Sequence, residues 1–480
     1  MSDGSTRDTS IVPLAAGFPA PDRAAWLALV ERTLKGAPLA TLTRRTLEGL
    51  PIEPLYEAAP AAPAIGRAAP GWDVRATVRH PDPVLANTEA LEELAQGAQS
   101  LLLRLDPTGQ TGVAAGSADD LAQVLDGVLL DVATVALDAG FLGAAAADWL
   151  GAAAKGAPAA QLSFHLDPLS AFAAAGASPG PIEAHLISAA AVAARLAEPY
   201  PRASLFLASG RAAHEAGAGE ALELAMAAAA ALAYAKALVR AGLPMAAAFG
   251  GVTLGLAVDA DAFLCIAKLR AARRVWGRLV GACGVADAEA RIEVRSSGRM
   301  LTAADPWTNM IRLTAAAFAG AVGGADALAL GAFTDALGPP TGFARRQSRN
   351  IQLVMKEEAN LGRVVDPGAG GGYVEALTDE VARAAWAQLQ QIEAAGGIVA
   401  ALERGLIADL AGAGRAELAA RLARREVKIL GVTDFPTEGG RPAEVATTTH
   451  RQGAAAPSPR LPGADSHCPP LAPVRLEALA

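Results

Sequence analysis

The chain has 480 residues, a formal net charge of −8 and a hydrophobic fraction of 52% to which aromatics contribute only 4%. That length holds one large domain with arms or a few smaller ones, and the alanine richness behind the apolar content favours packed helices. The acidic balance without a Lys/Arg block argues against nucleic acid, and Cys265, Cys283 and Cys468 are too scattered for a disulfide framework or a zinc site.

No uninterrupted apolar run reaches bilayer length; the longest, Leu224 to Ala235, lies between Glu223 and Lys236. The opening Met1 to Asp8 has no basic region followed by an apolar core, so no secretory signal and no membrane association are expected. A cytoplasmic location follows as the expectation.

In chain order, residues 1–70 read as an arm and linker. A helix is expected over roughly Pro21 to Lys35, before Gly36, and prolines 51 and 54 then impose an extended path. Trp26, Ile52, Leu55 and Tyr56 give the arm apolar side chains that suggest it lies on something.

From about residue 98 to 400, short β-type runs alternate with long alanine-rich helical stretches. The expected strands are Ser100–Leu105, Val132–Leu137, Leu162–Leu166, Ser204–Ala208, Ala247–Leu254, Ile292–Arg295 and Ala327–Phe333, with an eighth ambiguous. Helices are expected at 219–241 and 260–282. Strand–helix alternation implies right-handed crossovers and a parallel sheet. The number of repeats fits a closed eightfold β/α (TIM-type) barrel over 71–400 better than an open doubly wound sheet. Thr378-Asp379-Glu380 reads as a helix start, a helical extension is expected over 401–436, and the Pro/Gly-rich 437–480 reads as an irregular tail.

Several blocks resemble the methylmalonyl-CoA mutase family, in the family's order. Ser296-Ser297-Gly298-Arg299-Met300-Leu301-Thr302, with Asp305-Pro306 and Asn309, is similar to its Ser-Gly-to-Asn segment. Leu34-Lys35-Gly36 with Thr46 to Tyr56, Gly71 to Arg75, Leu337 to Thr341 with Arg349 to Glu358, and Val365 to Thr378 complete the resemblance. It implies a barrel that binds acyl-CoA and, in catalytic chains, a following cobalamin-binding α/β domain. In heterodimeric members a large chain carries the adenosylcobalamin and the chemistry. The small (beta) chain related to it is regarded as non-catalytic.

The resemblance also defines what is missing. At the family's Tyr that wedges against substrate stands Thr77, and at its His that hydrogen-bonds the thioester carbonyl stands Ala212. Alanine can neither donate a proton nor stabilise oxyanion charge. The family's Gln-Asn-Asp segment has no counterpart between Ile187 and Tyr200. Asp465-Ser466-His467-Cys468-Pro469-Pro470 imitates the cobalamin motif Asp-x-His-x-x-Gly, but Pro470 stands where glycine is needed. No cobalamin-binding Rossmann-like domain is therefore expected, and no catalytic, cofactor or metal residue is assigned.

The remaining motifs read as structural. Gly368–Gly372 lacks the Gly-Lys-Ser/Thr ending of a phosphate cradle. Arg345, Arg346 and Arg349 read as a solvated helix face, with a CoA phosphate or a partner chain as alternatives. Glu357 and Glu358 are adjacent and make a poor catalytic pair. His165 reads as a satisfied core histidine, His214 as a surface or helix-start histidine two residues from Ala212, and His185 gives no signal. The expectation is a small, non-catalytic mutase subunit paired with a large catalytic subunit that interconverts methylmalonyl-CoA and succinyl-CoA, adenosylcobalamin residing in that partner. The alternatives are a catalytic barrel borrowing a separate cobalamin-binding subunit, a stand-alone acyl-CoA-binding protein, or an unrelated aldolase-like barrel enzyme.

Overall fold

The structure is a computed structural model and describes residue 17 and residues 22–59, 63–157, 159–286, 288–436, 442–448 and 456–480. The opening Met1–Asp8 segment, the expected helix start at Pro21 and parts of the 437–480 tail lie outside the described residues. Two compact units separate, Met1–Tyr56 and Glu57–Ala480.

The first unit holds a helix, Arg23–Leu34, begun by the Asp22 carboxylate accepting from the Ala25 amide and closed by Lys35 in the left-handed region. A two-stranded antiparallel ribbon pairs Arg44–Arg45 with Pro51–Ile52. None of the helix residues is buried, and Leu27, Leu29, Leu42 and Leu55 are exposed.

The second unit is built on a closed eight-stranded parallel barrel whose strands run in sequence order. They are β1 (Asp73–Val78), β2 (Ser100–Arg104), β3 (Thr134–Asp138), β4 (Leu162–Leu166), β5 (Ser204–Ser209), β6 (Val252–Val258), β7 (Arg291–Ser296) and β8 (Ala327–Ala329). Closure comes from β8, which pairs with β7 through Leu328 and Val294 and with β1 through Leu328 and Val74. The TIM-type barrel expected from the alternation is the observed fold. Helix starts follow from local chemistry: Asp82, Ser117, Asp167, Asp261 and Thr341 each cap a helix with a side-chain oxygen, and Pro83 and Pro168 occupy first turns where no amide is needed.

Several expectations change. The eighth strand is β1, hidden in sequence because its alternate residues Asp73 and Arg75 are charged. Ala247 lies in a short helix, Met245–Gly250, and β6 starts only at Val252 and runs on to Val258, where its backbone pairs with β7 as far as Ser296. β8 stops at Ala329; beyond it Phe333 packs between Trp307 and Phe343. Thr378 is not a helix start. Its helix is Gly372–Ala394, because Val374 and Leu377 are buried and hold the chain helical upstream of it. The stretch read as linker belongs in part to the barrel unit: the buried Arg67 guanidinium donates to the carbonyls of Ala321 and Ala325, and the Ile65 amide donates to Asp366.

The helix Glu220–Arg240 is long and apolar enough to cross a membrane by length and composition, which the count of unbroken apolar residues missed. It is a core helix instead: 72% of its apolar window is buried inside the protein, and its acidic interruption Glu223 is itself buried against Lys268. The tail, although irregular, is tied down. Ser178 and Cys468 amides donate to Ser466 and Gly176, and the Leu471 amide donates to Ala173.

Candidate functional site

In parallel β/α barrels the ends where strands give way to helices form the site-bearing face. Here that face holds a cavity of about 550 Å3 lined by Thr77, Leu102, Ala329 and a ring of charged side chains. Its roof is the tail: Pro473, Val474, Arg475 and Ala478 line it. The tail is fastened there because the Val474 amide donates to the Glu215 carbonyl, the Leu476 amide to the Arg299 carbonyl, and Glu477 accepts from the Ala303 amide.

The floor is ionic. Period-two alternation sends Arg75 of β1 and Glu293 and Arg295 of β7 to the barrel interior. Glu293, 1% exposed, accepts from Arg75 and from Arg295 at 2.8 Å. Arg295 continues to Asp138, 2.6 Å away at the end of β3, on the opposite side of the ring. Burial disfavours the charge on Glu293, but the Arg295 and Arg75 guanidiniums outweigh it and hold the carboxyl well below its usual range. For Asp138 burial likewise opposes ionisation, and Arg295 and Arg104 overcome it.

His165 sits among these charges with a backbone φ of 46°. It is a core histidine, as expected, but not a satisfied one: its Nδ1 is buried without a hydrogen-bond partner and lies 3.6 Å from Glu293. Burial, with help from Arg75 and Arg295, brings its pKa down to about 3 against the pull of Glu293, so the ring is neutral.

Thr77 does line the cavity. Ala212 follows β5 on a short helix, Arg211–Glu215, whose ends Arg211 and Glu215 reach the cavity wall. His214 is fully buried, which corrects its reading as a surface histidine. Its Nε2 meets Ser297 at 2.9 Å and its Nδ1 lies 3.3 Å from Glu223, which pairs with Lys268 at 2.6 Å. Arg299 completes the network by donating to the carbonyls of His214 and Ala218. The ring is thus spent on bracing the barrel rather than facing a ligand. His214, Glu220 and Asp259 are close enough to hold a metal ion, but Lys268 and Arg299 already supply the counter-charge that a cation would need to displace.

The Ser-Gly-to-Asn block after β7 is internally satisfied: buried Asn309 donates to the carbonyls of Thr302 and Phe333 and accepts from the Thr302 amide. Arg345 and Arg349 are not a solvated face. Arg345 pairs with Glu89 at 2.7 Å and Arg349 with Glu93, both on the helix Pro83–Ala95. The Gly368–Gly372 turn is clamped by Arg270, which binds Asp366 and Glu375 on either side of it. Glu357 and Glu358 are exposed on a single π-helical turn, and buried His185 meets the Pro179 carbonyl.

The cobalamin-like fragment is committed elsewhere. Asp465 accepts from the Gly180 amide, Ser466 from the Ile182 amide, and His467 forms a backbone bridge with Ala177. These side chains strap the tail to a loop and do not fit a corrin ligand set. Sequence reasoning missed the floor and the roof. The signal available for the floor was charge at alternate positions of apolar strands, Asp73 with Arg75 and Glu293 with Arg295.

Comparison with known proteins is consistent with this architecture. The family model described as methylmalonyl-CoA mutase matches residues 68–461. The chain is 39% identical over 461 residues to the methylmalonyl-CoA mutase small subunit of Streptomyces virginiae, covering 90% of this chain and 73% of that one. It is 34% identical over 466 residues to the small subunit of the same name from Propionibacterium freudenreichii subsp. shermanii, covering 90% and 71%. A methylmalonyl-CoA mutase of Escherichia coli is 39% identical over a shorter span of 209 residues. The chain belongs to the methylmalonyl-CoA mutase family.

Proposed function

We propose that this chain is the small, non-catalytic subunit of a methylmalonyl-CoA mutase, pairing with a large subunit that binds adenosylcobalamin and interconverts methylmalonyl-CoA and succinyl-CoA. The observation that carries the reading is the barrel mouth: Thr77 and Ala212 replace the family's Tyr and His, and the Arg295–Asp138 pair bridges the floor beneath them. Neither Thr77 nor Ala212 offers the imidazole that the family's His presents to the thioester carbonyl. The likeness to relatives named small subunits supports a larger partner. The arm helix Arg23–Leu34, with no buried residue and with Leu27 and Leu29 exposed, supports an arm that gains its apolar contacts from that partner. Free Cys265, Cys283 and Cys468 fit a reducing, cytoplasmic compartment.

The test is co-expression with a large mutase subunit. A stable complex that isomerises methylmalonyl-CoA, while this chain supplied with adenosylcobalamin alone does not, supports the reading. Turnover by the isolated chain overturns it. Binding of acyl-CoA by the isolated chain, with no affinity for the large subunit, favours a stand-alone acyl-CoA-binding protein instead.

A further inference from the structure

The mouth cavity carries more positive charge than its own acids neutralise. Arg79, Arg104, Arg211, Arg295 and Arg475 line it, against Asp138, Glu215 and Asp335. Three of the arginines are paired: Arg79 with Asp335, Arg295 with Asp138, and Arg475 with Glu477 at 2.9 Å. Glu215 accepts from the amides of Gly298 and Arg299, at 3.1 and 3.0 Å, and attracts Arg211 through space without a direct ion pair to it. Arg104 and Arg211 have no ion pair or side-chain hydrogen bond among the described residues, and the Arg211 Nε is buried without any acceptor.

A buried donor without an acceptor, as at the Arg211 Nε, is costly, and the cost is relieved when an anion accepts from it; Arg104 is exposed and free to turn towards the same ligand. The two unpaired forks come from different sides of the mouth, Arg104 at the end of β2 and Arg211 after β5, three strands further round the ring. A ligand satisfying both needs two anionic groups. The Arg295–Asp138 bridge crosses the barrel at the cavity floor, and the tail residues Pro473, Val474 and Arg475 line the cavity above it, which leaves room for a short ligand between them. A volume of about 550 Å3 lies within the range of small-molecule sites.

We propose that this arginine-lined mouth binds a small free polyanion, an organic molecule or inorganic ion bearing two or more carboxylate or phosphate groups, in place of an acyl-CoA. The site does not require the large subunit, so its failure would leave the subunit assignment standing, and the converse also holds. Arg211 and Arg104 grip the two anionic ends, and Arg475 of the tail closes over them.

Thermal melts of the full chain with citrate, succinate or pyrophosphate, against sodium chloride at matched ionic strength, test this. A ligand at a hundredfold excess over its Kd raises the folded-to-unfolded ratio about 100-fold, and the stabilisation keeps growing with the logarithm of ligand concentration. The expected result is a rise with at least one of these anions that exceeds the chloride control and grows with the logarithm of its concentration, lost in Arg211→Met and reduced in Arg104→Met. Response to the carboxylates alone or to pyrophosphate alone identifies the source of the anion. Arg211→Met deletes an unpaired charge and is expected to melt no lower than the parent without ligand. Should it fail to fold, Arg104→Met, altered at an exposed side chain, carries the comparison. No rise beyond the chloride control, or an equal rise in parent and variants, overturns the proposal.

Discussion

Arg295 and Asp138 are 2.6 Å apart although β7 and β3 stand on opposite sides of the barrel. A barrel of this size is normally filled by layers of branched apolar side chains. Here Leu102, Ala136 and Ala329 supply a small apolar layer, and an ionic ladder from Asp73 through Arg75, Glu293 and Arg295 to Asp138 occupies the axis.

The ladder is asymmetric, and so is its expected response to mutation. Glu293 is buried and serves two guanidiniums, so Glu293→Gln strands both and costs about 3–5 kcal/mol. The Asp138 side chain is 38% exposed, so Asp138→Asn costs under about 1 kcal/mol, Arg295 keeping Glu293 as its partner. Urea denaturation of the two variants checks the order; equal losses would mean that Asp138 is as deeply committed as Glu293.

A second buried pair allows a cycle. Lys268 and Glu223 are both fully buried, 2.6 Å apart, and Glu223 also accepts from the Ala257 amide. Lys268→Met alone is expected to cost about 3–5 kcal/mol. Glu223→Gln keeps an acceptor for Ala257, so the double variant is expected to be less destabilised than the sum of the singles. A coupling energy indistinguishable from zero would remove Lys268 as the partner that matters.

Two neighbouring groups give opposite pH signs. The folded pKa of His165, about 3, lies below its ordinary 6.5, so its stabilising contribution is complete above that value and is lost as pH falls towards 3. Asp167 is raised to about 6 by burial, against hydrogen bonds from Ser170 and Tyr234. Its contribution is complete below the ordinary 3.8 and is lost as pH rises through 6. His165→Asn, a residue that tolerates the positive φ, is expected to flatten the acid side of a plot of melting temperature against pH, and Asp167→Asn the near-neutral side. Identical pH profiles for parent and variants would show that neither group titrates in this window.

Close approach makes one glycine intolerant. A Cβ at Gly210 would lie 1.9 Å from the Glu223 carbonyl oxygen, backbone that cannot give way, so Gly210→Ala is expected to cost more than about 3 kcal/mol. At Gly412, inside the helix Leu406–Ala423, an added Cβ meets nothing within 4 Å, and Gly412→Ala is expected to stabilise by about 0.5–1 kcal/mol. Chemical denaturation of both variants separates steric from propensity effects.

Much of the architecture was legible in the chain. Strand Leu162–Leu166 has the bounds expected from sequence, and the helices Glu220–Arg240 and Ala262–Ala282 fall within a few residues of theirs. Local signals suffice there, because apolar runs and capping aspartates act over a few residues. β1 escaped notice because its inward face is charged, and charge in a strand normally marks solvent. His214 escaped because nothing near it in sequence shows that Ser297 and Glu223 come from other strands and helices to enclose it.

Alternating strand and helix patterning was enough to specify an eightfold barrel, and the substitutions Thr77 and Ala212 were enough to question its chemistry. The use of the barrel depended on contacts between residues far apart in the chain. Arg295 finds Asp138 only when eight strands close into a ring, and Arg475 reaches the mouth only when the tail packs against the loops after β5 and β7. Periodicity and capping are short-range properties of a chain, whereas the pairing of buried charges is set by where closure brings them, and no local pattern encodes that distance.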